Sequence, residues 1–191
     1  SFLGMTISRD RASRTIKLGQ QRQVVDVLEK YSMLEAMPQS VPLSPGVRLS
    51  KAGEPLGSDS YSYGQLVGSL MYLAVCTRPD IAQAVGALAK YVARPTVQHW
   101  AAAKGVLRYL AGTQQLRLVY SAAQAGLEAY VDADFAGDLD SRRSTAGFVF
   151  VLNGGGVSWS SKLQKTVAAS TTEAGLWQLR LQSRRRCGCK S

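Results

Sequence analysis

At 191 residues and 46% hydrophobic content, the chain can hold one domain or two small ones around a buried core, which excludes a disordered tail. No apolar run reaches the about 18 residues of a spanning helix, and no charged-then-apolar leader opens the chain, so no membrane partner and an intracellular protein are expected. The formal net charge of +10 points to a polyanionic partner, because lysines and arginines that neutralise phosphates release counterions, although Arg180, Arg184, Arg185, Arg186 and Lys190 supply five of those charges after the last acidic residue, Glu173.

The chain opens on Ser1 rather than methionine and is expected to be a piece of something longer. Phe2 to Ile7 reads as a short strand, with Arg14 to Leu18 as its hairpin partner across the polar segment Ser8 to Ser13. From Gln20 the apolar residues change to helix period, with Val24, Leu28 and Tyr31 on one face. Pro38, Pro42 and Pro45 then forbid regular helix and mark a linker. A second helix starts near Tyr61 and carries Leu66, Leu70 and Leu73, apolar on most sides and so expected to be buried. Thr77-Arg-Pro-Asp80 reads as the cap and first turn of a third helix, whose stripe is Ile81, Val85, Leu88 and Val92. After Pro95, Thr96 can cap a fourth, with Trp100, Ala103, Leu107 and Leu110 on its inner face up to Gly112, and with His99 as an exposed neighbour of Trp100.

The pattern turns to strands beyond this helical block. Tyr130 and Val131 end a β-rich run in which Asp132 and Asp134, two apart, project from the same face. Ser144 to Leu152 is β-branched and aromatic, Asn153 to Gly156 is a hairpin turn signal, and Val157 to Lys162 alternates apolar with polar, so a three-stranded meander begins at the aspartates. Ser170-Thr-Thr-Glu173 is a capping box that opens a helix crossing back over the sheet, which gives Glu173 a structural duty at the helix start. Asp138 and Asp140 are expected to make turn hydrogen bonds. Arg142 and Arg143, in the turn beside the aspartates, are candidates for phosphate contact. Two carboxylates at a strand edge suit a hard, oxygen-seeking cation such as magnesium, held jointly with phosphate oxygens.

Asp138-Leu-Asp-Ser-Arg-Arg-Ser-Thr-Ala-Gly147, Val157-Ser-Trp-Ser-Ser-Lys162, Gln164-Lys-Thr-Val167 and Ser170-Thr-Thr-Glu-Ala174, in this order and spacing, resemble the ribonuclease H part of copia-type retrotransposon polyproteins. Leu66 to Leu73, Thr77 to Ala82 and Val106 to Leu110 resemble the region between reverse transcriptase and ribonuclease H in the same family, and Phe2-Leu-Gly4 resembles the end of the polymerase palm. The resemblance implies an α+β or α/β chain in parts: the end of the palm, thumb and connection over 1–115, a mainly helical region, then the N-terminal half of an incomplete ribonuclease H-like domain with a mixed sheet over 126–174. It implies RNA/DNA hybrid as partner, alongside the remainder of the polyprotein, and Mg2+ as cofactor of hybrid cleavage. Asp132 matches the family's first metal-binding aspartate and Asp134 is a second candidate ligand. The palm's polymerase aspartates would precede Ser1, so DNA polymerisation is not expected of this chain. The family's next ligand, a glutamate one residue past Ala174, is Gly175 here, which leaves an inactive hybrid nuclease or a nucleic-acid-binding module without catalysis.

Residues 175–191 depart from the family pattern and are expected to be a frameshifted tail. Under a suitable choice of codons, restoring one A after the first base of the Gly175 codon converts Gly175 to Lys190 into Glu-Phe-Met-Ala-Ala-Ala-Ser-Ala-Val-Lys-Glu-Ala-Leu-Trp-Leu-Gln. That string begins with the missing glutamate and is rich in helix formers. On this account the arginine run, Cys187 and Cys189 carry no function. With Cys76 the cysteines are odd in number and lack zinc-ligand spacing to His99, so neither a disulfide framework nor a structural metal is expected. Sequencing the locus should show codons for Gly175 to Lys190 that continue the family pattern one frame over; codons that do not would end the idea.

Overall fold

Val24 and Leu28, one turn apart on α1 (Gln21–Lys30), enter a core completed by Leu66, Leu70 and Leu73 of α2 (Ser60–Cys76), Val85 and Leu88 of α3 (Ala82–Ala89), and Val106, Leu107 and Leu110 of α4 (Val97–Gly112). The structure, a computed structural model of the chain, describes residues 2–134 and 137–164. The helices assemble because each carries an apolar stripe at three- and four-residue spacing, and burying a leucine stabilises by about 1.5–3 kcal/mol. Their expected stripes are mostly those seen, with three differences.

The second helix is not buried on most sides. Met71, Tyr72 and Val75 are exposed, because α1, α3 and α4 cover only the face that carries the leucines. The third helix does not start with a regular first turn, and it stops early. Pro79–Ile81 forms a single 3-10 turn, α3 ends at Ala89, and the chain turns so that Tyr91 rather than Val92 reaches the core.

The third difference concerns His99 and Trp100, whose expected places are exchanged. His99 is completely buried and Trp100 only half-buried. The reason is local: the Thr96 backbone N–H donates to His99 Nδ1 at 2.9 Å, so the imidazole takes the part of the acidic or amide residue of a capping box. Its ring also stacks on Tyr91, centroids 4.0 Å apart and 16° between planes.

Among the described residues, two three-stranded antiparallel sheets flank the helices. In the first, β1 (Thr6–Asp10) pairs with β2 (Thr15–Gly19), which pairs with β3 (Leu118–Ser121) beyond the last helix. The first strand lies four residues later than expected, and Ser8 to Asp10 belong to it. Phe2 and Met5 bond to each other across Leu3 and Gly4, closing a tight turn first. The hairpin turn is set by Asp10, whose carboxylate accepts the Ala12 N–H at 2.9 Å and the Ser13 hydroxyl at 2.7 Å.

The second sheet is the expected meander: β4 (Leu127–Asp134), β5 (Thr145–Leu152) and β6 (Gly155–Leu163). Asn153 and Gly154 form its two-residue turn with φ of 52° and 80°, the positive values that such a hairpin demands. A mixed sheet was expected, but every pair among the described strands is antiparallel: in the second sheet each strand follows its neighbour in sequence, and β3 returns antiparallel to β2 after the four helices. The helix anticipated after Ser170 and the tail from 175 lie outside the described residues.

His99 gives a pH signature. It is the chain's single histidine, and burial lowers its pKa, against the opposing pull of Asp140 and of the Ser50 backbone. A folded pKa below the unfolded one, about 6.5, means that the unfolded chain binds the proton first. Stability is therefore full above that value and falls as pH drops below it. Urea unfolding should show a loss of stability as pH drops below about 6.5 that His99→Gln, which preserves the capping box, does not show. Equal pH dependence in both proteins would refute this assignment.

Candidate functional site

Alternation along β4 puts Glu128, Tyr130, Asp132 and Asp134 on one face. Register extends that face across the sheet: Asp132 lies opposite Gly147 and then Ser161, and Asp134 opposite Thr145 and then Leu163. The face is turned toward the start of α3. Asp132 and Asp134 line a cleft of about 220 Å³ together with Pro79, Ala82, Gln83 and Ser161. The two aspartates named from the sequence are thus brought together on one surface, and both are exposed. Glu128, which sequence reasoning passed over, is engaged by the Tyr130 hydroxyl, and that bond pushes the Tyr130 phenol up.

Magnesium demands near-octahedral oxygen coordination and is usually held by carboxylates together with substrate phosphates and waters. Among the described residues, no group of three or more histidine, cysteine, aspartate or glutamate side chains is placed to hold a metal ion. The described residues therefore do not fit a complete magnesium centre. Glu173 and Gly175 lie outside them.

Arg142 and Arg143 are exposed on the turn from Asp138 to Arg143, where Arg142 adopts the left-handed backbone conformation, φ 55°. This turn does more than expected of it. Asp138 makes its local bond, accepting the Ser141 N–H at 3.1 Å, but it is also buried and paired with Lys90 at the end of α3. Burial alone would raise its pKa; the hydrogen bonds from Lys90 and Ser141 outweigh that and hold it below the usual carboxylate range. Asp140 makes no such local bond: its carboxylate accepts the Lys51 backbone N–H at 3.1 Å and the Tyr91 hydroxyl at 3.0 Å. Two aspartates in a polar turn look alike in sequence, and only the fold tells a local acceptor from a long-range one.

A further contact was equally hidden. Trp159, on the aspartate-bearing face of β6, donates its indole N–H to the Ala74 carbonyl at 2.7 Å. Ala74 sits in the last turn of α2, where carbonyls lack helical partners, so the indole satisfies an acceptor that the helix leaves open. Alternation marked Trp159 as inward-facing, but nothing in the sequence named its partner.

The chain is 46% identical over 179 residues to the retrovirus-related Pol polyprotein from transposon TNT 1-94 of Nicotiana tabacum, an alignment that takes in 91% of this chain and 14% of that protein. It is 42% identical over 174 residues to the retrovirus-related Pol polyprotein from transposon RE2 of Arabidopsis thaliana, covering 91% of this chain and 12% of the relative. The chain thus spans a small fraction of the length of these curated relatives. It is also similar, at 55% over 112 residues, to secreted RxLR effector protein 161 of Plasmopara viticola, covering 58% of this chain and 79% of that one. No family model matches the chain, and no solved structure does.

Proposed function

We propose that this chain, similar over 91% of its length to Pol polyproteins of retrotransposons, corresponds to the copia-type stretch from the end of the reverse transcriptase palm through thumb and connection into a ribonuclease H-like domain. The polyprotein relatives carry this reading because their alignments take in 91% of the chain, against 58% for the effector. The observation that supports the ribonuclease H part is the meander itself. Its first strand presents Asp132 and Asp134 on one face.

The ancestral activity on this reading is to grip an RNA/DNA hybrid by its backbone and to cleave the RNA strand with the aid of magnesium, which supplies the activated water and stabilises the developing charge. In this chain Asp132 and Asp134 would be the residues toward the metal. Gly175 offers no side-chain oxygen where a further carboxylate would be needed, so hybrid cleavage is lost on this reading. What remains is binding. The net charge that precedes the tail, 10 − 5 = +5, with Arg142 and Arg143 exposed beside the aspartate strand, favours a module that holds nucleic acid without cutting it.

Incubated with a labelled RNA/DNA hybrid and magnesium, the purified chain should release no RNA fragments. Fragments that disappear in Asp132→Asn would overturn this reading.

A further inference from the structure

Besides the Trp159 bond to Ala74, the second sheet meets the helical unit through polar groups gathered at the turn between β4 and β5. Lys90 and Tyr91 follow directly on α3 and reach Asp138 and Asp140 on the turn between β4 and β5. The Tyr91 hydroxyl lies 3.0 Å from the Asp140 carboxylate and 3.0 Å from the Leu49 carbonyl, so a single proton is shared between two acceptors. The Lys51 N–H holds the other carboxylate oxygen of Asp140 at 3.1 Å. The turn therefore touches three points of the helical unit: the end of α3, the ring that stacks on His99, and the loop at 49–51.

Packing on the two sides is unequal. The leucines of the helical core are fully buried, whereas Val149 and Val151 on the cleft-facing side of β5 are half-buried and Val157 is 47% exposed. Elements joined by few apolar contacts and several polar ones separate at a lower free energy than the cores they connect. A buried carboxylate that loses its paired cation is destabilised strongly, so Asp138 must either keep Lys90 or move out to water.

We propose that the Asp138–Arg143 turn is a latch that holds the second sheet against the helices and opens as a unit while the helices stay folded. Closed, it sets Asp132 and Asp134, both exposed, along the cleft of about 220 Å³ against Pro79, Ala82 and Gln83. Lys90 and Tyr91 are positioning residues in this scheme.

Native-state amide hydrogen exchange on the full chain tests it. The double variant Lys90→Met, Tyr91→Phe leaves the turn itself unchanged and retains the aromatic ring stacked on His99. Exchange across β4–β6 should accelerate at least tenfold while α2 and α4 exchange as in the parent. Asp140→Asn, altered on the turn alone, should give the same pattern at smaller amplitude. Unchanged exchange in β4–β6, equal acceleration throughout α2 and α4, or failure of the double variant to fold would each overturn the latch, since each denies that the two parts separate with the helices intact.

Discussion

The fold depends on one buried charge. Arg78, 2% exposed, sits between the end of α2 and the end of α4. Its Nε and Nη2 donate to the Asp80 carboxylate at 3.0 and 2.7 Å, and Nη1 and Nη2 donate to the carbonyl and hydroxyl of Thr113 at 3.1 and 2.7 Å. A guanidinium removed from water costs several kcal/mol unless its donors are satisfied, and the planar fork of arginine matches a carboxylate better than a lysine would. Tyr109 adds its hydroxyl to Asp80 at 2.9 Å, and Thr77 next door donates to Gln20 at 2.8 Å, just before α1. One short segment thus ties three helices together.

What this junction sets is the position of everything docked on it. The last turn of α2 offers the Ala74 carbonyl to Trp159, and the end of α3 offers Lys90 and Tyr91 to the turn of the second sheet. Both anchoring points lie within a few residues of elements that Arg78 joins. The aspartate-bearing face of β4 is therefore held opposite Pro79 and Ala82 by contacts whose geometry is inherited from the helical unit. The sheet that bears Asp132 and its helical neighbour are thus oriented by side chains far from that aspartate.

The helices and the meander were legible because their signals are local: apolar period for α1, α2 and α4, and Asn153-Gly154 between two β-rich runs for β5 and β6. The same-face placement of Asp132 and Asp134 follows from strand alternation alone. The misplaced elements share a different cause. Thr77-Arg-Pro-Asp80 read as an ordinary helix start, because nothing local says that Arg78 will be buried. His99 and Trp100 exchanged places because a capping contact to Thr96 outweighed the size of the indole. Asp140 was assigned to its own turn although its partners are Lys51 and Tyr91, far off in sequence. Long-range polar pairing has no period, so pattern reading cannot see it.

The claim that a single buried arginine organises the chain is tested most directly by urea unfolding of Arg78→Met, followed by far-ultraviolet circular dichroism. Methionine occupies similar volume but strands Asp80 and the Thr113 carbonyl, and removing one partner of a buried pair costs about 3 kcal/mol or more. The account predicts a loss of that size in a single transition that takes the helical signal with it. A variant as stable as the parent would contradict it.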